Sequence, residues 1–368
     1  MNLENLDINE ALKKLKKDLE SHKSTKIKCG IIGRSGTGKS SLINAIAGKE
    51  VAKTGPTETT MNVGKPIENG GLLFYDLPGC STSNFPKESY IKELNIAEFD
   101  CVILVTADRF YEDDLFLIQE LLNIKMPVYL VRTKLDFSID RELRKGISAT
   151  ETYTKIHNNL TESLKGYRVK GIYLTSSDFP TEYDLSQLLE DILSNLELFK
   201  KEVFLANINI TSEKILLEKR ELSDKMVSRY SALAAANGLN PIPGVDVGVD
   251  IAIMVKMSKH IQDIYGLNEE QQAYNSQILD KKSAKFIATK AAQYAAKYGG
   301  KEAIMILLKK VSATLATKTV SKWIPFVGQA IAAGIGFKMT SWIGNDMINE
   351  AEEIAKETFE SFKKSENN

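Results

Sequence analysis

Residues 27–48 have the sequence IKCGIIGRSGTGKSSLINAIAG, in which an apolar strand runs through a glycine-rich turn into a helix that ends at Gly48. The turn, from Gly33 to Ser40, matches the pattern G-x-x-x-x-G-K-S in full. Glycines in such a turn allow backbone N–H groups to face phosphate oxygens, and the following helix presents the positive end of its dipole to them. The stretch therefore predicts a phosphate-binding loop in a nucleotide-binding domain.

Apolar strands alternate with helical stretches on the C-terminal side of this loop. The strand candidates are residues 72–75, 101–106, 128–133 and 171–174, and helical patterns lie around 87–98, 112–123, 150–164 and 184–198. This alternation predicts an α/β fold of the P-loop type. We expect a doubly wound, mostly parallel sheet in a domain over residues 25–198.

The second half of the chain has a different pattern, because no strand candidate follows residue 198. An all-helical domain is predicted over residues 199–368, and the amphipathic segment 1–24 is expected to form a helix that packs on it. Two apolar segments, 231–255 and 320–337, contain many small residues and are interrupted by proline or charge. We expect them to be core helices, and membrane insertion is the alternative.

Composition excludes several classes of protein. The 48 Lys and Arg residues balance the 48 Asp and Glu residues, so no net charge attracts the chain to nucleic acid, and we expect no nucleic-acid partner. The three cysteines form no Cys-x-x-Cys or Cys/His cluster, which disfavours zinc and disulfides. The N-terminus is charged, and Asn2 stands where N-myristoylation needs glycine. We therefore expect a cytoplasmic protein whose contact with membranes is peripheral.

Two further motifs extend the predicted site. Asp76-Leu-Pro-Gly79 ends a strand, where the carboxylate can hold a magnesium ion and the glycine N–H can sense a γ-phosphate. Residues 133–136 read TKLD, and the Asp136 carboxylate can accept hydrogen bonds from N1–H and N2–H₂ of guanine, which adenine lacks. Residues 175–176 follow the last strand and can offer a backbone N–H to guanine O6. These motifs predict GTP and GDP as ligands and Mg²⁺ as cofactor.

The candidate nucleotide contacts combine the loop, the strand ends and the base motif: Gly33, Ser35, Gly36, Thr37, Gly38, Lys39, Ser40, Ser41, Gly79, Thr133, Lys134, Asp136, Thr175 and Ser176. Lys39 is also a catalytic candidate, because its ammonium group can reach the β- and γ-phosphate oxygens. Ser40 and Asp76 are candidate ligands of Mg²⁺.

Several stretches resemble the immunity-related GTPases, a family of interferon-inducible, dynamin-like proteins. The resemblance rests on AKTGPTETTM (52–61), YDLPGCSTSNFPKESYIKEL (75–94), TADRF (106–110), VRTKLD (131–136) and NGLNPIPGVDVGVDI (237–251). Thr133, where most GTPases have asparagine, belongs to that family's pattern. The resemblance implies a GTPase domain joined to a helical domain, self-association of two chains through their nucleotide faces or into larger oligomers, and action at intracellular membranes in cell-autonomous defence.

The same resemblance implies candidates for the hydrolytic step. Cys80 stands where common small GTPases have a glutamine that orients water. Thr60 aligns with the family's switch threonine and is a further candidate Mg²⁺ ligand, whereas Glu58 matches a family residue implicated in catalysis. Positive charge for the γ-phosphate can come from Arg34 of the same chain or from Arg109 of a paired chain.

Three functions are compatible with these residues. The first is a dynamin-like GTPase that is activated by self-association and acts at membranes. The second is a slow GTP-dependent switch that recruits a partner. The third is a membrane-inserting effector that uses 231–255 and 320–337. The residues alone do not separate the first two functions, and the first is our prediction, with the slow switch as the alternative.

Overall fold

A computed structural model of the chain describes residues 24–55, 65–80, 89–108, 111–237, 246–319 and 328–366. The chain divides into two compact units. The first unit contains the described residues of Thr25–Ile215, Ala273–Asp280 and the segment from Phe359, and the second contains those of Leu216–Gln272 and Lys281–Thr358. Residues 1–23, which hold most of the predicted N-terminal helix, lie outside the described residues.

The first unit is built on a mostly parallel sheet, as predicted. Its described strands are β1 Ile27–Gly33, β2 Ile67–Asn69, β3 Leu72–Pro78, β4 Cys101–Thr106, β5 Val128–Arg132 and β6 Gly171–Leu174. Their order across the sheet is β2-β3-β1-β4-β5-β6. Strand β2 is antiparallel to β3, and the other neighbouring pairs are parallel. The sequence pattern missed β2, since three residues are too few to show a period.

Helices connect the strands of this unit. They are α1 Lys39–Ala47, α2 Tyr90–Glu93, α3 Glu112–Asn123, α4 Leu135–Leu143, α5 Ala149–Ser163, α6 Leu185–Asn195 and α7 Leu198–Asn207. The helix expected over 87–98 is shorter than predicted, because the described residues form only α2 and a single 3₁₀ turn at Ile96–Glu98. Apolar side chains of the strands pack against α3 in a buried core that includes Ile32, Leu104, Leu117, Ile118 and Leu130.

Helix α7 belongs to the first unit, although the sequence pattern ends the sheet domain at residue 198. It packs on the sheet beside β2 and β3. A Cβ atom on Gly71 would lie 2.1 Å from Cγ1 of Val203, so only glycine lets the helix approach the strand this closely. The side chain of Asn69 donates a hydrogen bond of 2.7 Å to the carbonyl of Asn207. These contacts explain why the first unit extends past residue 198, as far as Ile215.

The described part of the chain after residue 207 is helical. The helices are α8 Glu213–Asn237, α9 Asp246–Tyr265, α10 Glu269–Ile278, α11 Lys281–Tyr298, α12 Lys301–Thr319 and α13 Gly328–Glu366. In the second unit, a Cβ atom on Gly344 would lie 2.6 Å from Cγ1 of Val227, so α13 and α8 come into close backbone contact.

The two apolar segments are only partly described. Within 231–255, Ala234, Ile251 and Met254 are buried, which agrees with a core helix, whereas residues 238–245 are outside the described part. Within 320–337, residues 320–327 are outside it, and Phe337 is 40% exposed. Over the residues that are described, every helix is too short or too polar to cross a bilayer.

The second unit buries one lysine. Lys219 of α8 is only 1% exposed, and its Nζ donates a hydrogen bond of 2.5 Å to the carbonyl of Ile264, near the C-terminal end of α9. Burial lowers the pKa of Lys219 from its ordinary value of 10.5 to about 7, because removal from water disfavours the charged form. The folded chain therefore loses this proton at a lower pH than the unfolded chain does.

This difference predicts a pH-dependent stability. Between pH 7 and 10.5 the unfolded chain binds a proton that the folded chain lacks, so the contribution of Lys219 to the free energy of unfolding rises with pH over this window. Below this pH window, the folded state holds the charge of Lys219 in a buried position. Lys219→Met should therefore stabilise the second unit by about 2 kcal/mol at pH 6 and by clearly less at pH 9.

Denaturant unfolding followed by tryptophan fluorescence measures this difference, because Trp342 belongs to the second unit. Lys225→Met, at an exposed position of the same helix, is the control and should change little at either pH. An equal effect of Lys219→Met at both pH values would contradict the assignment of a lowered pKa.

Candidate functional site

The phosphate-binding loop lies where β1 meets α1, at the carboxyl ends of the central strands. In an open α/β sheet this edge is where ligands bind. Two glycines of the motif are required by the backbone. A Cβ atom on Gly33 would lie 2.4 Å from the carbonyl oxygen of Val105, and Gly38, which precedes α1, has a left-handed φ of 86°. Ser40 and Ser41 follow in the first turn of α1.

Lys39 points back into this loop. Its ammonium group donates hydrogen bonds to the carbonyls of Gly33 at 2.8 Å and Arg34 at 3.2 Å. The same nitrogen lies 3.6 Å from Oδ1 of Asp76, at the end of β3, and both side chains are largely buried. Strand pairing brings this about, since Asp76 lies opposite Ile31 in the register of β1 and β3. The loop lysine and the carboxylate proposed for Mg²⁺ are therefore close together.

Gly79 also approaches the loop. A Cβ atom built on it would lie 3.4 Å from Cγ of Arg34 and 3.7 Å from the Arg34 backbone nitrogen. The next residue, Cys80, is buried, and its Sγ is 3.0 Å from the carbonyl oxygen of Asp113. The thiol is therefore engaged with the start of α3.

Thr133 joins the base motif to the phosphate-binding loop. Its hydroxyl donates a hydrogen bond of 2.5 Å to the carbonyl of Thr37, and its backbone N–H donates to the carbonyl of Thr106 at 3.0 Å. The next side chain, Lys134, donates from Nζ to the carbonyl of Gly36 at 2.8 Å. Two consecutive residues of the TKLD sequence thus hold two consecutive carbonyls of the loop. A threonine hydroxyl supplies the donor that an asparagine amide would supply at this position.

The base motif also contacts the loop after β6. Leu135 donates its backbone N–H to the carbonyl of Thr175 at 3.1 Å, and the Thr175 N–H donates to the carbonyl of Arg132 at 2.8 Å. Thr175 and Ser176 are each only 1% exposed. Asp136 lies in the first turn of α4, so the fold brings together the three residues expected around the guanine.

Carboxylates surround the position of Asp136. Burial, and then the charge of Asp136, raise the pKa of Asp178, and the same two causes raise the pKa of Glu182, although a hydrogen bond with Tyr183 opposes them there. Asp178 and Glu182 therefore lie close enough to Asp136 for their charges to repel one another, and Asp136 also interacts with the charge of the buried Arg132.

The sequence analysis missed one residue, Arg132. This side chain is 6% exposed at the end of β5. Its guanidinium group donates to the carbonyl of Thr133, and Nη2 donates to the hydroxyl of Ser138 at 2.9 Å. It thereby ties the strand that precedes the base motif to the helix that follows it. An arginine inside an apolar strand could have indicated this role, because a buried guanidinium needs nearby acceptors.

A cavity of about 410 Å³ opens beside the loop. Its lining includes four cationic side chains, Arg34, Arg132, Lys134 and Arg141. Cζ of Arg34 lies 3.6 Å from the ring centroid of Tyr111, which is a cation–π contact. Ser35, Gly36 and Thr37 line the same cavity. Three predicted site residues, Glu58, Thr60 and Arg109, lie outside the described residues.

The Thr133 hydroxyl bond generates a prediction for nucleotide affinity. Thr133→Val keeps the shape of the side chain but removes the donor to the Thr37 carbonyl, so the loop loses one of its two links to the base motif. We expect guanine nucleotides to bind about tenfold more weakly. Thr133→Ser keeps the hydroxyl and should stay within about threefold of the unmodified protein. Titration with a fluorescent guanine nucleotide measures both, and equal affinities of the valine and serine variants would refute the link.

Comparison with known proteins identifies the family. A model of the interferon-inducible GTPase (IIGP) family matches residues 1–359. Interferon-inducible GTPase 5 of Bos taurus is 26% identical over 365 residues, which cover 95% of this chain and 78% of that protein. T-cell-specific guanine nucleotide triphosphate-binding protein 2 of Mus musculus is 30% identical over 258 residues, which cover 66% of this chain and 61% of that protein. A solved structure from an oligomerised bacterial dynamin pair aligns with a TM-score of 0.36 and 14% identity, over 97% of this chain and 75% of that one. Because the family model spans nearly the whole chain, this protein belongs to the interferon-inducible GTPase family and is a GTPase.

Proposed function

We propose that this GTPase binds GTP with Mg²⁺, hydrolyses it slowly as a single chain, and is activated when two chains associate through their nucleotide faces. Its turnover would drive an action at membrane surfaces in cell-autonomous defence. We infer that the sheet unit, which the sequence predicts over residues 25–198 and which α7 extends, is the GTPase domain, and that the segment 1–24 joins the later helices in a helical domain. The observation that carries the nucleotide assignment is the pair of hydrogen bonds from Thr133 and Lys134 to the phosphate-binding loop.

The proposed nucleotide contacts follow the loop and the base motif. The backbone N–H groups and the ammonium group of Lys39 would bind the phosphates, and Ser40 and Ser41 would follow at the start of the helix. The carboxylate of Asp136 would accept hydrogen bonds from guanine, and residues 175–176 would face O6. The carboxylates of Asp178 and Glu182 near Asp136 support guanine over adenine, because guanine offers donors at N1 and N2, where adenine offers none.

The residues at the loop suit Mg²⁺. Asp76 is 7% exposed, and its carboxylate lies beside Lys39, while Ser40 offers a hydroxyl in the first turn of α1. Carboxylate and hydroxyl oxygens are hard ligands of the kind that Mg²⁺ prefers. Ser40 and Asp76 would hold the ion together with Thr60, and the ion would neutralise charge on the phosphate oxygens.

Catalysis requires a group other than residue 80 to orient the water. The Cys80 thiol is engaged with the Asp113 carbonyl and offers no amide. We propose that Glu58 orients the water, directly or across a pair of chains. For the positive charge, the stacking of Arg34 on Tyr111 favours Arg109 of the paired chain over Arg34 in cis.

A slow switch is the second candidate function. The presence of Cys80 in place of a glutamine favours it. A GTPase that lacks the water-orienting glutamine has low intrinsic turnover and can hold the GTP state long enough to recruit a partner. The two functions differ in one measurable respect. An enzyme activated by association gains turnover per chain as its concentration rises, whereas a switch does not.

Self-association therefore predicts the kinetics. Turnover per chain should rise steeply with protein concentration, and Glu58→Ala should lower it by about 100-fold or more while GTP affinity changes only a few-fold, because a water-orienting group acts in the transition state. The variant should accumulate as a GTP-dependent dimer or larger assembly. Glu50→Ala, at an exposed position earlier in the same segment of the chain, is the matched control.

Steady-state hydrolysis and light scattering, each measured against protein concentration, test this prediction. Turnover of Glu58→Ala at the unmodified rate would refute the role of Glu58. Turnover that is flat with concentration would favour the slow switch.

Base recognition makes a separate prediction. Asp136→Asn replaces an acceptor with an amide donor, so the preferred nucleotide should change from guanine to xanthine, by about 100-fold in relative affinity. Asp140→Asn makes the same chemical change one turn further along α4, at an exposed position, and should leave the preference unchanged. Competition between GDP and XDP in an equilibrium binding assay measures both. An unchanged preference in Asp136→Asn would mean that this carboxylate does not contact the base.

A further inference from the structure

The cavity beside the phosphate-binding loop contains side chains that the proposed nucleotide contacts do not use. Residues 34–37 of the loop form part of its lining, together with the end of β4, the start of α3 and the exposed side of α4. It shares residues 35–37 and Lys134 with the proposed nucleotide contacts. The described residues that line it do not include the groups expected at the phosphates, the Mg²⁺ ion and the guanine, which are Lys39, Ser40, Asp76 and Asp136. The cavity therefore adjoins the nucleotide position and extends away from it, towards α3 and α4.

The lining of this cavity is more basic than acidic. It holds the four cationic side chains named above and two carboxylates, those of Asp108 and Asp114. Asp114 is engaged at the start of α3, where its carboxylate accepts a hydrogen bond of 3.0 Å from the Tyr111 backbone N–H and interacts with the charge of Arg34. Arg34 in turn stacks on the Tyr111 ring. One carboxylate of the lining, that of Asp108, is therefore left with three cationic side chains: Arg132, Lys134 and Arg141.

Arg132 is the buried cation of the lining. Its two Nη atoms donate to the Thr133 carbonyl and to the Ser138 hydroxyl, but its buried Nε–H donates to no acceptor among the described residues. A buried donor without an acceptor destabilises a fold, so its presence at a cavity indicates a ligand that can supply an acceptor.

Arg132 also has a cationic neighbour. Burial lowers the pKa of Arg132, the carboxylates of Asp108 and Asp136 raise it, and the charge of Arg141 lowers it further. The guanidinium groups of Arg132 and Arg141 both line the cavity and therefore repel each other. An anion bound between them would replace this repulsion with two attractions.

The partners of Lys134 and Arg141 do not compensate their charges fully. Lys134 donates to a neutral acceptor, the Gly36 carbonyl, at 2.8 Å. Nε of the exposed Arg141 lies 3.6 Å from the Glu142 carboxylate, which Lys145 approaches more closely, at 2.7 Å. An exposed ion pair at such a distance contributes little to stability, so Arg141 can turn towards a ligand in the cavity.

We propose that Arg132, Lys134 and Arg141 bind a free phosphate ion in this cavity, beside the nucleotide and separate from its phosphates. A guanidinium group can bind two phosphate oxygens at once, and the ammonium group of Lys134 adds a point charge. The volume of about 410 Å³ is sufficient for such an ion with bound water. Inorganic phosphate is a product of GTP hydrolysis, so a GTPase releases this ligand close to the cavity. The proposal goes beyond the proposed function, since the ligand is neither the nucleotide nor a second chain.

A bound phosphate ion would affect nucleotide binding through the side chains that hold it. Arg132 donates to the Thr133 carbonyl and Lys134 donates to the Gly36 carbonyl, so these two residues connect the cavity to the base motif and to the phosphate-binding loop. An ion that holds both side chains in place should therefore strengthen GDP binding, by about fivefold. GDP should strengthen phosphate binding by the same factor, because such coupling is reciprocal.

Isothermal titration calorimetry of the full chain, saturated with GDP and Mg²⁺, tests the site with inorganic phosphate as the probe. At constant ionic strength we expect one phosphate ion to bind per chain. Arg141→Gln should weaken phosphate affinity by about tenfold or more, because it removes a charged two-point contact, and should leave GDP affinity without phosphate unchanged. Arg144→Gln removes the same charge from an exposed arginine that follows α4 and does not line the cavity. This matched control should bind phosphate like the unmodified protein.

Several outcomes of this experiment would overturn the proposal. Equal phosphate affinities of Arg141→Gln and Arg144→Gln would mean that the ion lies elsewhere, such as the γ-phosphate position beside Lys39. Absence of a phosphate signal, or displacement of phosphate by an equal concentration of acetate, would also contradict it. Self-association in phosphate-free buffer that is lost in Arg141→Gln would mean that an acidic side chain of a second copy fills the cavity instead. GDP affinity, measured on the same samples, reports separately on the nucleotide site, so failure of the phosphate site is distinguished from failure of the GTPase.

Discussion

The hydrogen bond from the Thr133 hydroxyl to the Thr37 carbonyl is the interaction on which the candidate site depends. It joins residues that follow β5 and β1, which are separated in the sheet by β4. The Thr106 carbonyl at the end of β4 accepts from the Thr133 backbone N–H, so three strand ends meet at one residue. Lys134 adds a second link to the loop, and Arg132 fixes the strand to α4. The phosphate and base ends of the site are therefore positioned as one body.

This arrangement explains how Thr133 can serve where most GTPases have asparagine. The position needs a donor that reaches a loop carbonyl, and a hydroxyl satisfies that need in a buried setting, where Thr133 is 2% exposed. Valine would fit the same space without the donor and would leave the Thr37 carbonyl short of a partner. The departure from the common motif thus preserves the physical interaction while changing the chemical group that makes it.

The sequence predicted the parts of the molecule that have a strict period or spacing. The phosphate-binding loop was found because backbone geometry fixes its glycines, TKLD was found because its aspartate can pair with guanine, and the parallel sheet was found because apolar strands alternate with helices. Strand β2, helix α4 and the buried Arg132 were missed. The signals of β2 and α4 are short, the contact of Arg132 with Ser138 appears only in the fold, and the place of α7 in the first unit depends on the missing side chain of Gly71, far away in sequence. Glu58, Thr60 and Arg109 stay predictions, because they lie outside the described residues.

Strand β3 has a mechanical consequence. At one end, Gly71 precedes it and lies under Val203 of α7, and at the other end Asp76 and Gly79 approach the phosphate-binding loop. Its seven residues are paired with β1 along their whole length, over a span of about 20 Å. An extended strand that is paired along its whole length cannot become longer, so a displacement of one end also moves the other end. A displacement of Gly79 along the strand would therefore shift the contact between Gly71 and α7, which is the last helix before α8.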